Sequence, residues 1–255
     1  NRFCCGLSGY ILMLGLGNSL TSASYIGFTN TYSLSFDGTD DYVTVPDHSS
    51  LDITGAITIS AWVKVNSFDS NSDGIVSKTD NANGHGYGLY VDKGADTSTG
   101  TAVFHSKNYN TAKAVTGALV TNTWYHIAGT FLLADELNKI YLDGSLVDST
   151  ATGTVDILPD NEALEFGRVF KDAGNTLNGI IDEVSIFDVV KTVGDLRDGS
   201  KPADLTGMSN LQGWWRMGDG TEGASGTTIY DMSANTNNGT MTNMDAGTDY
   251  VTDVP

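Results

Sequence analysis

Cysteine is nearly missing from this chain. Among 255 residues there are two, Cys4 and Cys5, and neighbours in sequence close only a strained ring, so no disulfide framework staples the fold. Without a pair of C-x-x-C units, a structural zinc site of the usual kind is excluded as well. Proline is scarce, at four, and 13 basic residues stand against 31 acidic ones, a net charge of −18. A field of that sign repels phosphate backbones and anionic headgroups, which argues against nucleic acid and membrane as partners. Long apolar runs are also lacking. "FCCGLSGYILMLGLG" (Phe3 to Gly17) is too short and glycine-rich to span a bilayer. It also lacks the basic start and small-residue cleavage site of a secretion signal. Met13 is the expected start of the native chain, the residues before it being translated upstream sequence. A native peptide covering Phe3 to Tyr10 would refute this.

What the chain does have is a period of two. "AITISAWVKV" puts Ile57, Ile59, Ala61, Val63 and Val65 on one face and Thr58, Ser60, Trp62 and Lys64 on the other, the pattern of a half-buried strand. "YGLYVD", "TWYHIAGTF", "NKIYLD" and "GIIDEVSIF" repeat it. Thirty glycines supply turns. Asp-Gly falls at Asp37, Asp73 and Asp143, and Asn-Gly at Asn83 and Asn178; such dipeptides tolerate the positive φ of hairpin turns. "IYLDGSLVDS" therefore predicts a tight hairpin turning at Asp143 and Gly144. Helical signals are few. "KTVGDLRDGS" predicts one short turn with Thr192 as its N-cap. The expectation is an all-β, two-sheet antiparallel β-sandwich or jelly roll. An N-terminal arm covers residues 1–30, the jelly roll 31–190, and a C-terminal segment, 191–255, adds a strand to this or a neighbouring domain.

The blocks "LSFDGTDDYVTVP", "ITISAWVKV", "WYHIAGTF", "IYLDGSLV" and "LNGIIDEVSIFD" follow one another in the order of the laminin G-like, concanavalin A-like jelly rolls, and the chain resembles that family from Tyr32 to Asp188. The tail "LQGWWRMGDG…IYDMSANTNNGTM" resembles a segment that precedes the jelly roll in many bacterial and phage members and here follows it. The opening from Met13 to Asn30 is similar to N-terminal arms on virion structural proteins of marine bacteriophages. Because this fold hosts lectins, adhesion modules, hydrolases and capsid-associated proteins, the site has to be argued separately.

Hydrolysis by two carboxylates of the retaining kind needs them roughly 5 Å apart. Asp182 and Glu183 are adjacent, so a regular strand turns them to opposite faces. Glu162 and Glu165 are separated in the same way, and no nucleophile elbow, H-E-x-x-H or phosphate loop is present. The chain is therefore read as not an enzyme. Calcium takes six to eight oxygens. The resemblance brings the opening loop beside the "DE" strand, which makes Asp40, Asp41 and Asp182 candidate Ca2+ ligands, with a carbonyl from Gly38. Glycan or partner contacts are sought among Phe68, His85, Tyr87 and Tyr109 in polar stretches. Trp214 and Trp215 face opposite ways on a strand, so one can be buried while the other anchors a partner. Trp62 and Trp124 are expected to pack between sheet and edge, and His126 to be a hydrogen-bonded strand histidine.

Three functions remain open: a structural or interaction module on a virion, a carbohydrate-binding or host-adhesion module, and a glycoside hydrolase. The first is the expectation, with other virion proteins or copies of this chain as partners, a homo-oligomeric assembly, and a virion or extracellular location.

Overall fold

The computed structural model describes residues 28–69, 71–79, 85–106, 113–154, 156–158, 161–171 and 174–255. Strands dominate. They are β1 (Ser33–Asp37), β2 (Tyr42–Val45), β3 (Ala56–Ser67), β4 (Ser72–Thr79), β5 (Gly86–Lys93) and β6 (Thr99–His105). Next come β7 (Lys113–Val120), β8 (Trp124–Leu132), β9 (Leu137–Leu142), β10 (Ser145–Ala151), β11 (Leu164–Phe166) and β12 (Asn178–Phe187). The last are β13 (Arg197–Asp198), β14 (Lys201–Pro202), β15 (Leu211–Trp215), β16 (Thr228–Ile229), β17 (Gly239–Thr242) and β18 (Tyr250–Val251). Among the described residues helix is confined to two 3-10 turns, Ser49–Leu51 and Val193–Leu196. The second begins where the Thr192 cap was expected, yet the Thr192 side chain makes no capping bond.

Two antiparallel sheets face one another. The first runs β10-β9-β8-β3-β12-β1-β18, with β15 also paired to β12. The second runs β16-β17-β2-β11-β4-β5-β6-β7. The expected all-β, two-sheet sandwich is what forms. Its core is the inward set of both sheets, including Leu34, Ile59, Val63, Leu89, Phe104, Ile127, Phe166, Ile181 and Trp215. The sheets approach closely at Gly129 of β8, where a Cβ would lie 2.1 Å from Cδ2 of Phe104 on β6.

Residues 191–255 contribute to both sheets. β15 and β1 lie end to end along one side of β12, β17 pairs with β2, and β18 pairs with β1. The same region roofs the outer face of the first sheet, where Phe187, Leu196, Leu205 and Trp214 form a second apolar cluster with Phe28, Val189 and Met208. Consequently β3 is buried on both faces from Ile57 to Val63, whereas alternation alone predicted one wet face.

The hairpin between β9 and β10 turns at Asp143 (φ 50°) and Gly144 (φ 82°), the conformation that an Asp-Gly pair accommodates. Asp73-Gly74 and Asn178-Gly179 behave differently: both lie inside strands. There glycine serves close approach. A Cβ on Gly74 would sit 2.1 Å from the backbone of Arg168, and one on Gly179 2.5 Å from the carbonyl of Lys64, and each marks an irregular register. Asn83-Gly84 lies outside the described residues.

Candidate functional site

The loop between β1 and β2 collects three carboxylates. Asp37, Asp40 and Asp41 each place an oxygen within 4.8 Å of the others. Gly38 (φ 78°) makes the turn, and its α-carbon packs so close to Asn178 that a Cβ would lie 2.7 Å from that residue's own. The loop is held from within: Asp41 accepts the amide of Asp37 at 3.0 Å, and Asp37 accepts that of Thr39 at 2.7 Å. Asn243 donates to the carbonyl of Asp40, and Thr176 to that of Thr39. Burial, with repulsion from Asp37, Asp249 and Asp40, pushes the Asp41 carboxyl up to about 6. A group of carboxylates with no cation among its close partners in the described residues is the electrostatic setting that a hard divalent ion relieves. Three carboxylates with two carbonyls already engaged fit a partly hydrated site.

Asp182 does not join them, which corrects the expected ligand set. Asp37 pairs with Asn178 on β12, four residues before Asp182, a separation of about 13 Å along a strand. Asp182 sits opposite Trp62 and is fully buried. One of its oxygens accepts the amide of Glu183 at 2.8 Å, and the other accepts Asn30 Nδ2 at 2.8 Å.

The adjacent acids also break the rule of opposite faces. The β3–β12 register slips by one residue between Asp182 and Ser185, and Glu183 takes φ 48°, a bulge. Ile181 and Val184 face the core. Both acids therefore turn to the outer face. Glu183 accepts Trp214 Nε1 at 2.6 Å and Arg216 Nε at 3.0 Å. Burial pushes Glu183 up to about 7 against the pull of Arg216. Asp182, with no cation beside it among the described residues, is raised well above the usual carboxylate range, by burial and then by Glu183.

Residues 28–32 form a strap over this pair. Phe28 stacks on Trp214 (6.3 Å between centroids, 15° between planes), and the Arg216 guanidinium lies 4.3 Å from the Phe28 centroid. Arg216 also donates to the carbonyl of Thr29 at 2.5 Å, Asn30 reaches Asp182, and the amides of Thr31 and Tyr32 both donate to Asp219 Oδ2. Phe28 divides two clefts. The larger, about 670 Å³, is bordered by Phe28, Asn30, Asp198, Lys201, Asp204 and Val254. The smaller, about 250 Å³, is bordered by Phe28, Thr29, Asp204, Trp214, Arg216 and Met232.

Residues 37–197 match the family described as the concanavalin A-like lectin/glucanases superfamily. The chain belongs to that superfamily. Among solved structures it is similar to a protein of Bacteroides ovatus ATCC 8483 assigned provisionally to carbohydrate binding. The TM-score is 0.67 and the identity 20%, over 89% of this chain and 62% of that one, so this chain spans about three-fifths of that protein's length. It is also similar to the native heptameric SAP-like pentraxin of Limulus polyphemus, with a TM-score of 0.51 and 16% identity over 70% of this chain and 84% of that one. No curated protein matches the sequence.

As a member of the superfamily the chain keeps several expected contact residues inside. Phe68 is fully buried, because Gly100 on β6 leaves room for its ring; a Cβ there would lie 2.4 Å from Phe68 Cδ1. Tyr87 is also buried, its hydroxyl donating to the carbonyl of Leu51. Trp215 fills the core against Phe166, and Trp214 lies under Phe28, so neither indole is an exposed anchor. His85 is partly exposed just before β5, and Tyr109 lies outside the described residues. Neither ring nitrogen of His126 has a hydrogen-bond partner, contrary to the expected bonded histidine; burial lowers it to about 3. Asn30, Arg216 and Asp219 were missed by sequence reading. The "WWRMGDG" block carried the signal for two of them, an arginine and an acid just beyond a strand.

Proposed function

We propose that this protein is a non-enzymatic binding module that engages glycans through the cleft beside Phe28. The observation that carries this reading is the cleft itself. At about 670 Å³ it falls in the size range of small-molecule sites, about 300–1,000 Å³. Its border combines an aromatic ring, an amide, two carboxylates and an ammonium, the groups that meet the hydroxyls and apolar faces of sugars. The carbohydrate binding assigned to the Bacteroides protein supports the same class of ligand. The carboxylate pair Asp182 and Glu183 is buried beneath the strap and bonded to Asn30, Trp214 and Arg216, which favours binding over bond cleavage. Ca2+ at Asp37, Asp40 and Asp41 would stiffen the β1–β2 loop.

The virion reading rests on residues 13–30. Of these only Phe28, Thr29 and Asn30 are described, and they pack on their own domain, so the glycan reading is preferred. Glycan-array binding by the full chain, lost on replacing Lys201 and Asp204 by alanine in a protein that still melts cooperatively, is the expected result. Co-sedimentation with virus particles without glycan binding would overturn it.

A further inference from the structure

The two clefts share Phe28 and Asp204 as a common wall. Glu183 and Trp214 belong to paired strands: Ser185 of β12 stands opposite Trp214 of β15, and the bulge at Glu183 brings its carboxylate onto the indole nitrogen. Trp214 borders the smaller cleft and is covered by a ring lying nearly parallel to it. That is the geometry in which a sugar ring, whose axial C–H groups form an apolar face, rests on an aromatic platform. The polar contacts of the strap complete the likeness. The carbonyl of Thr29 is received by Arg216, the amide of Asn30 by Asp182, and two main-chain amides by Asp219. A guanidinium and two carboxyl groups are suited equally to hydroxyl groups, which both donate and accept. One group on the strap is left over: Asn30 Oδ1 is buried without a partner. The strap fits its seat imperfectly.

We infer that Phe28–Thr31 is a built-in occupant of an extended saccharide groove, with Trp214 a covered stacking subsite that an oligosaccharide reaches by displacing the strap. The inference rests on the glycan reading of the larger cleft and extends it in length. With Phe28 in place a short saccharide reaches only the larger cleft. With Phe28 lifted, the two clefts join past Asp204, which borders both, and a longer chain spans them. Arg216 then exchanges Phe28 and the Thr29 carbonyl for the ligand while keeping Glu183.

The test compares the full chain with its Phe28→Ala variant by calorimetric titration against trioses and hexaoses of the gluco, xylo and arabino series. For the series that binds, the ratio of hexaose to triose affinity is expected to rise about tenfold in the variant, since a competing aromatic stack has gone from Trp214. Adding Trp214→Phe, which keeps a ring, should retain much of the gain, and Trp214→Leu should abolish it. Faster hydrogen exchange at the Thr31 and Tyr32 amides in Phe28→Ala reports release of the strap without any ligand. A hexaose-to-triose ratio that is unchanged or lower in a folded Phe28→Ala variant overturns the strap as occupant and leaves the larger cleft standing. Failure of both proteins to bind any member of the panel removes the glycan reading, and the groove with it.

Discussion

Asp182 and Glu183, neighbours in the chain, project from the same face of their sheet, and their environments differ sharply. Glu183 is held by an arginine and an indole N–H; Asp182 has an asparagine amide and a main-chain amide but no cation. Taking a carboxylate out of water is costly unless a paired charge compensates, so the two positions should respond in opposite directions to loss of charge.

At pH 8, Asp182→Asn is expected to leave stability unchanged or raise it by about 1 kcal/mol, because no cation stands beside that position to compensate a charge on it. The new amide can also donate to Asn30 Oδ1. Glu183→Gln should instead cost about 3 kcal/mol, since Arg216 is left buried without its counter-charge. Urea unfolding of the two variants checks both; a destabilisation shared equally would sink the contrast between the two environments.

Thermal stability should peak on the acid side. Asp41 and Glu183 titrate near 6 and near 7 in the folded state, above their ordinary values of 3.8 and 4.5, and Asp182 is raised as well. Between the unfolded and folded values the native protein holds the extra protons, so stability falls as pH rises from about 4 to about 7. His126 acts oppositely: lowered from 6.5 to about 3, it stabilises more as pH rises through that interval. Three groups outweigh one. Below pH 4 the trend reverses as Asp253, held low by its bonds with Lys64 and Trp124, takes up its proton. A melting temperature higher at pH 8 than at pH 5 would contradict this balance.

Calcium should raise the melting temperature, by an amount equivalent to ~1–3 kcal/mol at ten- to a hundredfold excess over Kd. Asp41→Asn should remove the effect, and it should fade below pH 6 as protons compete for Asp41. Magnesium, which insists on a tighter octahedral shell, should do less. No shift with either ion would exclude the Asp37, Asp40 and Asp41 loop as a metal site.

Gly129→Ala should destabilise by about 1–3 kcal/mol through overpacking against Phe104. A companion Phe104→Leu should recover part of that loss, because the two side chains compete for one space. Additive losses in the double variant would show that the contact does not limit sheet approach.

The layout of the sandwich was legible because alternation and turn chemistry are local. "IYLDGSLV" encodes its own hairpin, and "ITISAWVKV" its own strand. What escaped was non-local. Asp73-Gly74 and Asn178-Gly179 read as turns, yet they are strand positions where another backbone crosses at van der Waals distance, and that neighbour is remote in sequence. Phe68 and Tyr87 stand in polar surroundings and looked exposed; a glycine on β6 and a carbonyl at Leu51 take them inside. The candidate site was less legible. A single slipped register at Glu183 reverses the face of one carboxylate, and nothing in "IIDEVSIF" announces it. The strap was hidden for the same reason, since Asn30 and Asp219 lie 189 positions apart.

The way in which β15, β17 and β18 complete the sheets has a consequence for synthesis. While the ribosome is still making residues 211–251, β12 has an open flank, β2 lacks one of its two neighbours, and β1 is paired on one side only. Each is a template for another chain. The nascent domain therefore waits for its last strands before those edges are sealed, and a transcript stopped shortly after Arg197 would yield an aggregation-prone fragment rather than a smaller lectin-like fold.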